Sequence, residues 1–188
     1  MITKGNYSAR LAASPADLAR ALALRQRVFR TARGLTGADA DHFDPACLHV
    51  LITDTATDDL LCCYRLLPLS DASQIAQSYA AQFYDLTRLA GFAGPMLELG
   101  RFCLNPDHHD PDILRLAWGV LARLVDERGV ALLFGCSSFD GADPAAHLAG
   151  LVLLRGHLAP DHWRPEALPA AYPYARLITE TPDPRAGL

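Results

Sequence analysis

The chain has 188 residues, of which 51% are hydrophobic and 20% are charged, and its formal net charge is −4. This length fits a single domain that can bury a core, and the acidic balance argues against nucleic-acid binding, which needs a basic surface. The N-terminus lacks the apolar segment of a signal peptide, and no apolar run is long enough to span a membrane. We therefore expect a cytoplasmic protein in which the five cysteines are reduced thiols.

Hydrophobic periodicity and turn residues predict alternating strands and helices. The predicted strands are short apolar runs, and they lie at 7–13, 48–53, 60–69, 96–104 and 130–136. The last of them is expected to be buried. The predicted helices carry an apolar stripe. The first begins at the Ser14-Pro15 cap and continues through an apolar stretch at 18–29, the second runs from Asp110-Pro111 to just before Gly129, and the third runs from Asp143-Pro144 to about 154. Short helical pieces are expected between 70 and 90, and the residues after about 160 show no clear pattern.

The order of these elements indicates a three-layer α/β sandwich with a mixed sheet. The strands at 48–53 and 60–69, joined by a polar turn, predict a hairpin. The strand–helix–strand unit from 97 to 136 predicts a right-handed parallel crossover. Because no repeat or linker interrupts the chain, we expect one domain over 1–188.

The stretch LELGRFCLNP, residues 97–106, places two charges within an apolar strand. On an alternating strand Glu98 and Arg101 face opposite sides unless a bulge intervenes, and Gly100 would permit one. One interpretation is an edge strand with two solvated charges. The other is a base or orienting carboxylate beside a substrate-binding arginine.

A second candidate is the acidic loop that contains Asp39, Asp41 and Asp44. It is either a solvated turn or a carboxylate cluster that holds a cationic amine, and it lacks the spacing of a calcium loop. Arginines recur along helix one and later, as at Arg25 and Arg65. They are ordinary surface charges or a site for a small acidic partner.

Other chemistry is less supported by the sequence. His108-His109 is typical of a solvated loop, and we expect no metal site because the ligand spacing is missing. Cys136, followed by Ser137 and Ser138, has neither a positioned histidine nor a sign of a lowered thiol pKa. No glycine-rich phosphate loop of the Walker or dinucleotide type occurs.

Taken in order, these motifs resemble the ornithine–acyl-carrier-protein N-acyltransferases and, more distantly, the acyl-homoserine-lactone synthases. Two segments carry most of the resemblance, Glu98-Leu99-Gly100-Arg101 and Phe134-Gly135-Cys136-Ser137-Ser138-Phe139. The other matching residues are Leu24-Arg25, Val28-Phe29, Asp39, Asp41, Phe43, Asp44, Cys47, His49, Tyr64-Arg65-Leu66, Phe83-Tyr84-Asp85-Leu86, Trp118 and Asp143-Pro144. The resemblance covers roughly residues 20–158.

The resemblance implies a GNAT-like three-layer α/β/α sandwich with a mixed, partly splayed central sheet. It also implies acyl transfer, in which a 3-hydroxyacyl chain moves from a carrier-protein thioester to the α-amine of ornithine. The pantetheine arm would lie between the splayed strands at 97–104 and 130–136. No cofactor is implied, since the donor is the acyl-phosphopantetheine of acyl carrier protein. Contact of the protein with the inner membrane face through its lipid product stays an open possibility.

By the same resemblance, eight residues fall on positions that line the amine-substrate pocket or hold it together: Arg25, Phe29, Asp39, Asp41, Asp44, Arg65, Glu98 and Arg101. Of these, we predict Glu98 and Arg101 to be catalytic and the other six to bind substrate. We also predict Phe102, Ser137 and Ser138 to bind substrate. We expect Glu98 to accept the proton of the amine, with Asp41 and Asp44 attracting the ammonium groups. Gly100 would mark a bulge that aims Glu98 and Arg101 apart, because a neighbouring arginine weakens a carboxylate base.

Two further surfaces follow from this interpretation. The acyl slot would use aromatic residues that plain core packing explains equally well, namely Phe102, Trp118, Phe134 and Phe139. The carrier-protein docking face would use the arginines of helix one together with Arg115 and Arg123.

Two alternatives remain at this point. One is an acyl-homoserine-lactone synthase that uses S-adenosylmethionine, although the loop before Asp39 lacks the tryptophan usual there. The other is an inactive relative that binds acylated carrier protein. The sequence departs from the ornithine enzymes at Leu48-His49 and at His108-His109, and those enzymes commonly extend beyond residue 188.

Overall fold

The computed structural model of the protein describes residues 1–139 and 143–167. Its strands are β1 (Ile2–Lys4), β2 (Tyr7–Leu11), β3 (Leu48–Asp54), β4 (Leu60–Leu69), β5 (Tyr84–Asp85), β6 (Met96–Leu104), β7 (Leu132–Gly135) and β8 (Glu166–Ala167). Its α-helices are α1 (Pro15–Arg25), α2 (Pro111–Glu127) and α3 (Leu148–Leu153). A π-helical turn covers Gln26–Arg30, and 3₁₀ turns cover Thr31–Arg33, Asp44–Ala46, Ala72–Gln77, Ala80–Gln82, Thr87–Gly91, Pro144–His147 and Leu154–His157.

Six strands form one mixed sheet in the order β1-β2-β3-β4-β6-β7. All neighbours are antiparallel except β6 and β7, which are parallel and are joined through α2. The predicted hairpin of β3 and β4 and the predicted parallel pairing are therefore confirmed. Strands β5 and β8 pair separately.

The described chain falls into two compact units. The first unit, residues 1–71 and 93–135, contains the six-stranded sheet with α1 and α2. The second unit contains residues 72–92 and the described residues after 135, with α3 and the β5–β8 pair. A single domain over the whole chain stays a prediction.

In the first unit the sheet is covered on both faces. Helix α2 packs on one face through the predicted stripe, which is fully buried and consists of Ile113, Leu116, Ala117, Val120, Leu121 and Leu124. Helix α1 packs on the other face, where Ala21 and Leu24 meet Leu51, Cys63 and Cys103. Burial of both faces gives the three layers that the α/β prediction requires. No helix of the described residues is long and apolar enough to cross a membrane.

Both long helices begin where the sequence predicts, because each has a capping side chain followed by proline. The Ser14 hydroxyl accepts a hydrogen bond from the Asp17 amide, and the Asp110 carboxylate accepts one from the Asp112 amide. The end of the first helix differs from the prediction. It is α-helical only to Arg25 and then widens into the π turn before Gly34 ends it at φ 70°.

Two predicted elements are altered in the structure. The strand expected at 130–136 is the shorter β7 and is not buried, since Leu133 is 38% exposed at the last position of the sheet order. The helix expected over 143–154 is a short α3 between two 3₁₀ turns. Most of the residues after about 160 lie outside the described ranges.

Candidate active site

A bulge in β6 sets the geometry of the candidate site. Arg65 pairs with Gly100 and Cys63 pairs with Cys103, so Tyr64 of β4 lies opposite two residues of β6. The extra residue is Arg101, whose φ of 53° is left-handed and unusual for a residue with a side chain. The predicted bulge is present, but Gly100 keeps its regular pairing. The bulge brings Arg101 to the α1 side of the sheet, where Glu98 also lies, instead of aiming the two apart.

Three arginines and three aspartates form a closed ring on this α1 side, which we call the Arg–Asp ring. Its six ion pairs are Arg25 Nε–Asp39 Oδ2 (2.8 Å), Asp39 Oδ2–Arg101 Nε (3.2 Å), Arg101 Nη2–Asp41 Oδ2 (3.4 Å), Asp41 Oδ1–Arg65 Nη1 (2.5 Å), Arg65 Nη1–Asp44 Oδ1 (2.7 Å) and Asp44 Oδ1–Arg25 Nη1 (2.6 Å). Each member was predicted from the sequence as a site residue, and the structure brings all six together.

Four separate segments supply the ring. The last residue of α1 supplies Arg25, the loop before β3 supplies the aspartates, β4 supplies Arg65 and the β6 bulge supplies Arg101. The side chains of Arg25 and Arg65 are only 1% and 4% exposed, whereas those of Asp41 and Arg101 are 21% and 25% exposed. The ring therefore reaches solvent along its Asp41–Arg101 edge.

The electrostatics of the ring favour the charged forms of Asp44, Asp41 and Arg65. Burial would raise the pKa of Asp44, but hydrogen bonds from Arg25, from the Asp41 amide and from Arg65 outweigh burial and lower this pKa to about 2. Burial would also raise the pKa of Asp41, but the hydrogen bond and the charge of Arg65 outweigh burial and lower this pKa. The carboxylates raise the pKa of Arg65 against the effect of burial. With all six ionised, the three positive and three negative charges cancel.

The contacts of Asp44 show how this aspartate is used within the Arg–Asp ring. Asp44 Oδ1 accepts from both Arg25 and Arg65, and its Oδ2 accepts from the Asp41 amide. Asp44 thus holds the loop, α1 and β4 together. Direct attraction of a substrate ammonium group by Asp41 and Asp44 stays a prediction, and Asp41 is the better placed because it lies at the exposed edge.

Glu98 lies on β6 opposite Leu67 and is only 4% exposed. Its charge acts on the thiol of Cys47, the residue that precedes β3. Burial first, and then the surrounding carboxylates including Glu98, raise the pKa of Cys47 to about 11. Cys47 is therefore a neutral thiol at pH 7 and is unsuited to act as a nucleophile.

Two residues that were not predicted as site residues support the ring. The buried His49 has its Nε2 2.9 Å from the Asp44 carbonyl oxygen and lies opposite Arg65 in the β3–β4 register. The Phe43 ring lies 5.6 Å from the guanidinium of Arg65. The sequence offered one signal for His49 as a site residue. It is a lone histidine within an apolar strand, and the strand that pairs with it carries an arginine.

The remaining predicted residues lie in different places. The centroid of the Phe29 side chain, in the π turn, is 5.9 Å from the Arg101 guanidinium, so Phe29 borders the Arg–Asp ring. Phe102 faces the opposite side of the sheet, where it stacks between Tyr64 at 5.2 Å and Trp118 at 5.8 Å. Its position is separate from the ring. Ser137 and Ser138 are exposed residues of the second unit, and their roles stay predictions.

Comparison with known proteins assigns the chain to a family. Residues 24–119, which include the whole ring and Glu98, match the acetyltransferase (GNAT) domain family. Four curated relatives named L-ornithine N(alpha)-acyltransferase are 30% to 35% identical to the chain. One of them, from Rhodobacter capsulatus, is 35% identical over 86% of this chain and 68% of its own length. The chain belongs to the L-ornithine N(alpha)-acyltransferase family.

The chain spans about two thirds of the length of these relatives, from 62% to 68%. Among solved structures, the ribosomal-protein-alanine N-acetyltransferase from Brucella melitensis biovar Abortus 2308 has a TM-score of 0.52 and 15% identity, covering 86% of this chain and 98% of its own. That likeness confirms the GNAT fold. The acyl-homoserine-lactone synthase LasI has a TM-score of 0.49 and 19% identity, covering 68% of this chain and 71% of its own. At that score the likeness to LasI supports no conclusion about this member of the ornithine acyltransferase family.

Proposed function

We propose that this protein transfers a 3-hydroxyacyl chain from the thioester of acyl carrier protein to the α-amine of ornithine. The observation that carries the proposal is the buried Glu98 beside a charge-balanced Arg–Asp ring. When ionised, the six charges of the ring cancel, and Glu98 adds a buried carboxylate on the same side of the sheet. A buried carboxylate can accept a proton from an amine, and ornithine carries two ammonium groups.

The chemistry requires a proton acceptor. An α-ammonium group must lose a proton before its nitrogen can attack the thioester carbonyl carbon, and Glu98 accepts that proton directly or through water. The new C–N bond forms and the C–S bond breaks. The second proton lost by the nitrogen goes to the sulfur, so that the carrier leaves as its thiol, and the proton on Glu98 passes to solvent. No covalent acyl-enzyme is needed, which agrees with the raised pKa of the Cys47 thiol.

The sequence of one loop supports a carrier-protein donor. The loop between β6 and α2, residues 105–110, contains no glycine. Users of coenzyme A carry a glycine-rich loop for the pyrophosphate there, and a carrier protein presents its pantetheine without a free pyrophosphate.

We also expect a cytoplasmic protein that meets the inner membrane face through its lipid product.

The test measures free thiol released from 3-hydroxyacyl carrier protein, with and without ornithine. We expect ornithine-dependent release that falls by roughly 10²- to 10⁴-fold in Glu98→Gln, because the amide cannot accept the proton. Glu166→Gln is the matched control, since this glutamate is exposed and pairs only with Arg88 among the ion pairs described. It should leave the rate unchanged.

Other outcomes would contradict the proposal. Release that needs S-adenosylmethionine instead of ornithine would favour the lactone-synthase alternative. Binding of acylated carrier protein by a folded wild-type protein, with no release for any amino acid, would favour the inactive carrier-binding relative. Full activity in Glu98→Gln would remove Glu98 from the mechanism.

A further inference from the structure

Gly100 occupies a central place on the α1 side of the sheet. It lies opposite Arg65 on β4, which in turn lies opposite His49 on β3, so the three residues form one row across the sheet. Glu98 precedes it on the same face, and the side chain of Arg101 follows. Glu98, Arg65 and His49 are buried, whereas Gly100 is partly exposed. Solvent therefore reaches this row at Gly100.

The fold itself does not require a glycine here. Gly100 does not have a positive φ, and the extra residue of the bulge is Arg101. A Cβ built on Gly100 would meet, among the described residues, only Arg65, at 3.6 Å from Nε and 3.8 Å from Cγ, which are ordinary contacts. By contrast, a Cβ on Gly135 would lie 2.3 Å from the Leu99 carbonyl oxygen. A glycine inside a strand weakens it, so the side chain is missing for a reason outside the folding of the chain.

We propose that Gly100 is a specificity-determining residue of the acceptor subsite. This inference rests on the proposed function. The missing side chain leaves the space between Glu98 and the exposed Asp41–Arg101 edge of the ring, and the acceptor amino acid lies there with its amine towards Glu98. A side chain at position 100 fills this space, and a larger side chain excludes more of the acceptor.

The test is a size series at this position, Gly100→Ala and Gly100→Val, measured by thiol release over a range of ornithine concentrations. We expect the KM for ornithine to rise several-fold in Gly100→Ala and by ~10-fold or more in Gly100→Val, with the KM for the carrier-protein donor unchanged. Gly119→Ala is the matched control, because a Cβ there meets nothing within 4 Å on the exposed side of α2. Its KM for ornithine should equal that of the wild type.

A merely structural role predicts a different pattern. It would lower the thermal midpoint and reduce kcat for every acceptor, whereas a subsite role predicts a smaller effect on the shorter acceptor 2,3-diaminopropionate than on ornithine. Gly100→Ala remains informative because its Cβ makes only ordinary contacts, so this variant should fold. An ornithine KM within about twofold of wild type in both variants would overturn the inference.

The inference and the proposed function can fail separately. Ornithine-dependent release by the wild type with unaffected Gly100 variants overturns only the inference. If the wild type binds ornithine in calorimetry but releases no thiol, the proposed reaction fails. Weaker ornithine binding in Gly100→Val than in Gly119→Ala then still supports the subsite, and equal binding overturns it.

Discussion

At the scale of single residues, Asp44 is the member of the Arg–Asp ring on which most contacts depend. It is buried, and it is shared by two buried arginines from different elements. A buried ion pair is not by itself strong evidence for stability, but removing one partner leaves the other charge buried and uncompensated. Substituting Asp44 should therefore lower the free energy of unfolding by more than either hydrogen bond contributes alone.

We expect Asp44→Asn to lower the free energy of unfolding by ~3–5 kcal/mol, because Arg25 and Arg65 lose a shared counter-charge. Urea unfolding followed by circular dichroism measures this change. Asp58→Asn is the control, since Asp58 is exposed and its pair with Arg20 lies at the surface. A surface pair contributes ~1 kcal/mol or less, so a similar loss in both variants would contradict a special role for Asp44.

The same residue predicts how stability depends on pH. The pKa of Asp44 is about 2 in the folded protein and takes its usual value of 3.8 when unfolded. Since the folded pKa is the lower one, its contribution is fully present above 3.8 and is lost as the pH falls from 3.8 towards about 2. The free energy of unfolding of the wild type should therefore fall more steeply over this window than that of Asp44→Asn. Parallel curves would contradict the assignment.

At the scale of elements, the parallel strands β6 and β7 depend on a close approach at Gly135. A Cβ there would overlap the Leu99 carbonyl oxygen, so the backbones lie closer than any side chain permits. This contact lies at the last paired position, Leu99–Gly135. Beyond it, no pairing of β6 with β7 is observed in the described residues, which is consistent with the partly splayed sheet expected of the fold.

We expect Gly135→Ala to lower the free energy of unfolding by ~1–3 kcal/mol, because β6 and β7 must separate to admit the methyl group. Thermal unfolding measures the change. The same substitution at Gly119 on α2 should instead raise stability by ~1 kcal/mol, since alanine favours a helix over glycine. A Gly135→Ala protein as stable as the wild type would show that the approach is not needed.

At the scale of the whole molecule, several exposed arginines among the described residues are paired with a carboxylate at the surface. Three of the arginines expected to dock the carrier protein have an acidic neighbour at the surface: Arg115 has Asp112, Arg123 has Glu127 and Arg27 has Asp107. Such exposed pairs are weak and screened by salt. An acidic partner can therefore replace the internal one, and the docking role of these arginines stays a prediction.

We expect Arg115→Glu and Arg123→Glu together to raise the KM for acyl carrier protein by ~10-fold at low salt, with a smaller effect at high salt. An acyl-pantetheine thioester, which lacks the carrier protein, should react equally well with the variant and the wild type. Arg164→Glu, the same charge change at an exposed residue of the second unit, is the control. An unchanged KM at every salt concentration would exclude docking at α2.

The sequence by itself determined the elements whose signals are local. The hairpin of β3 and β4, the bounds of β6, and the buried stripe of α2 follow from apolar periodicity and from capping residues a few positions apart. It also identified every member of the Arg–Asp ring as a site residue, through the resemblance to a family. It did not predict β1, because a three-residue strand has no pattern of its own and forms only by pairing with β2.

Only the tertiary structure decided how the site residues meet. The arginines and aspartates that are hydrogen-bonded to each other in the ring lie 14 to 60 residues apart in the chain, so no local pattern records which arginine meets which aspartate. The left-handed Arg101 and the π turn after α1 likewise arise where β4, β6 and the acidic loop pack together. Local preference disfavours both conformations, and the contacts made by the folded chain stabilise them.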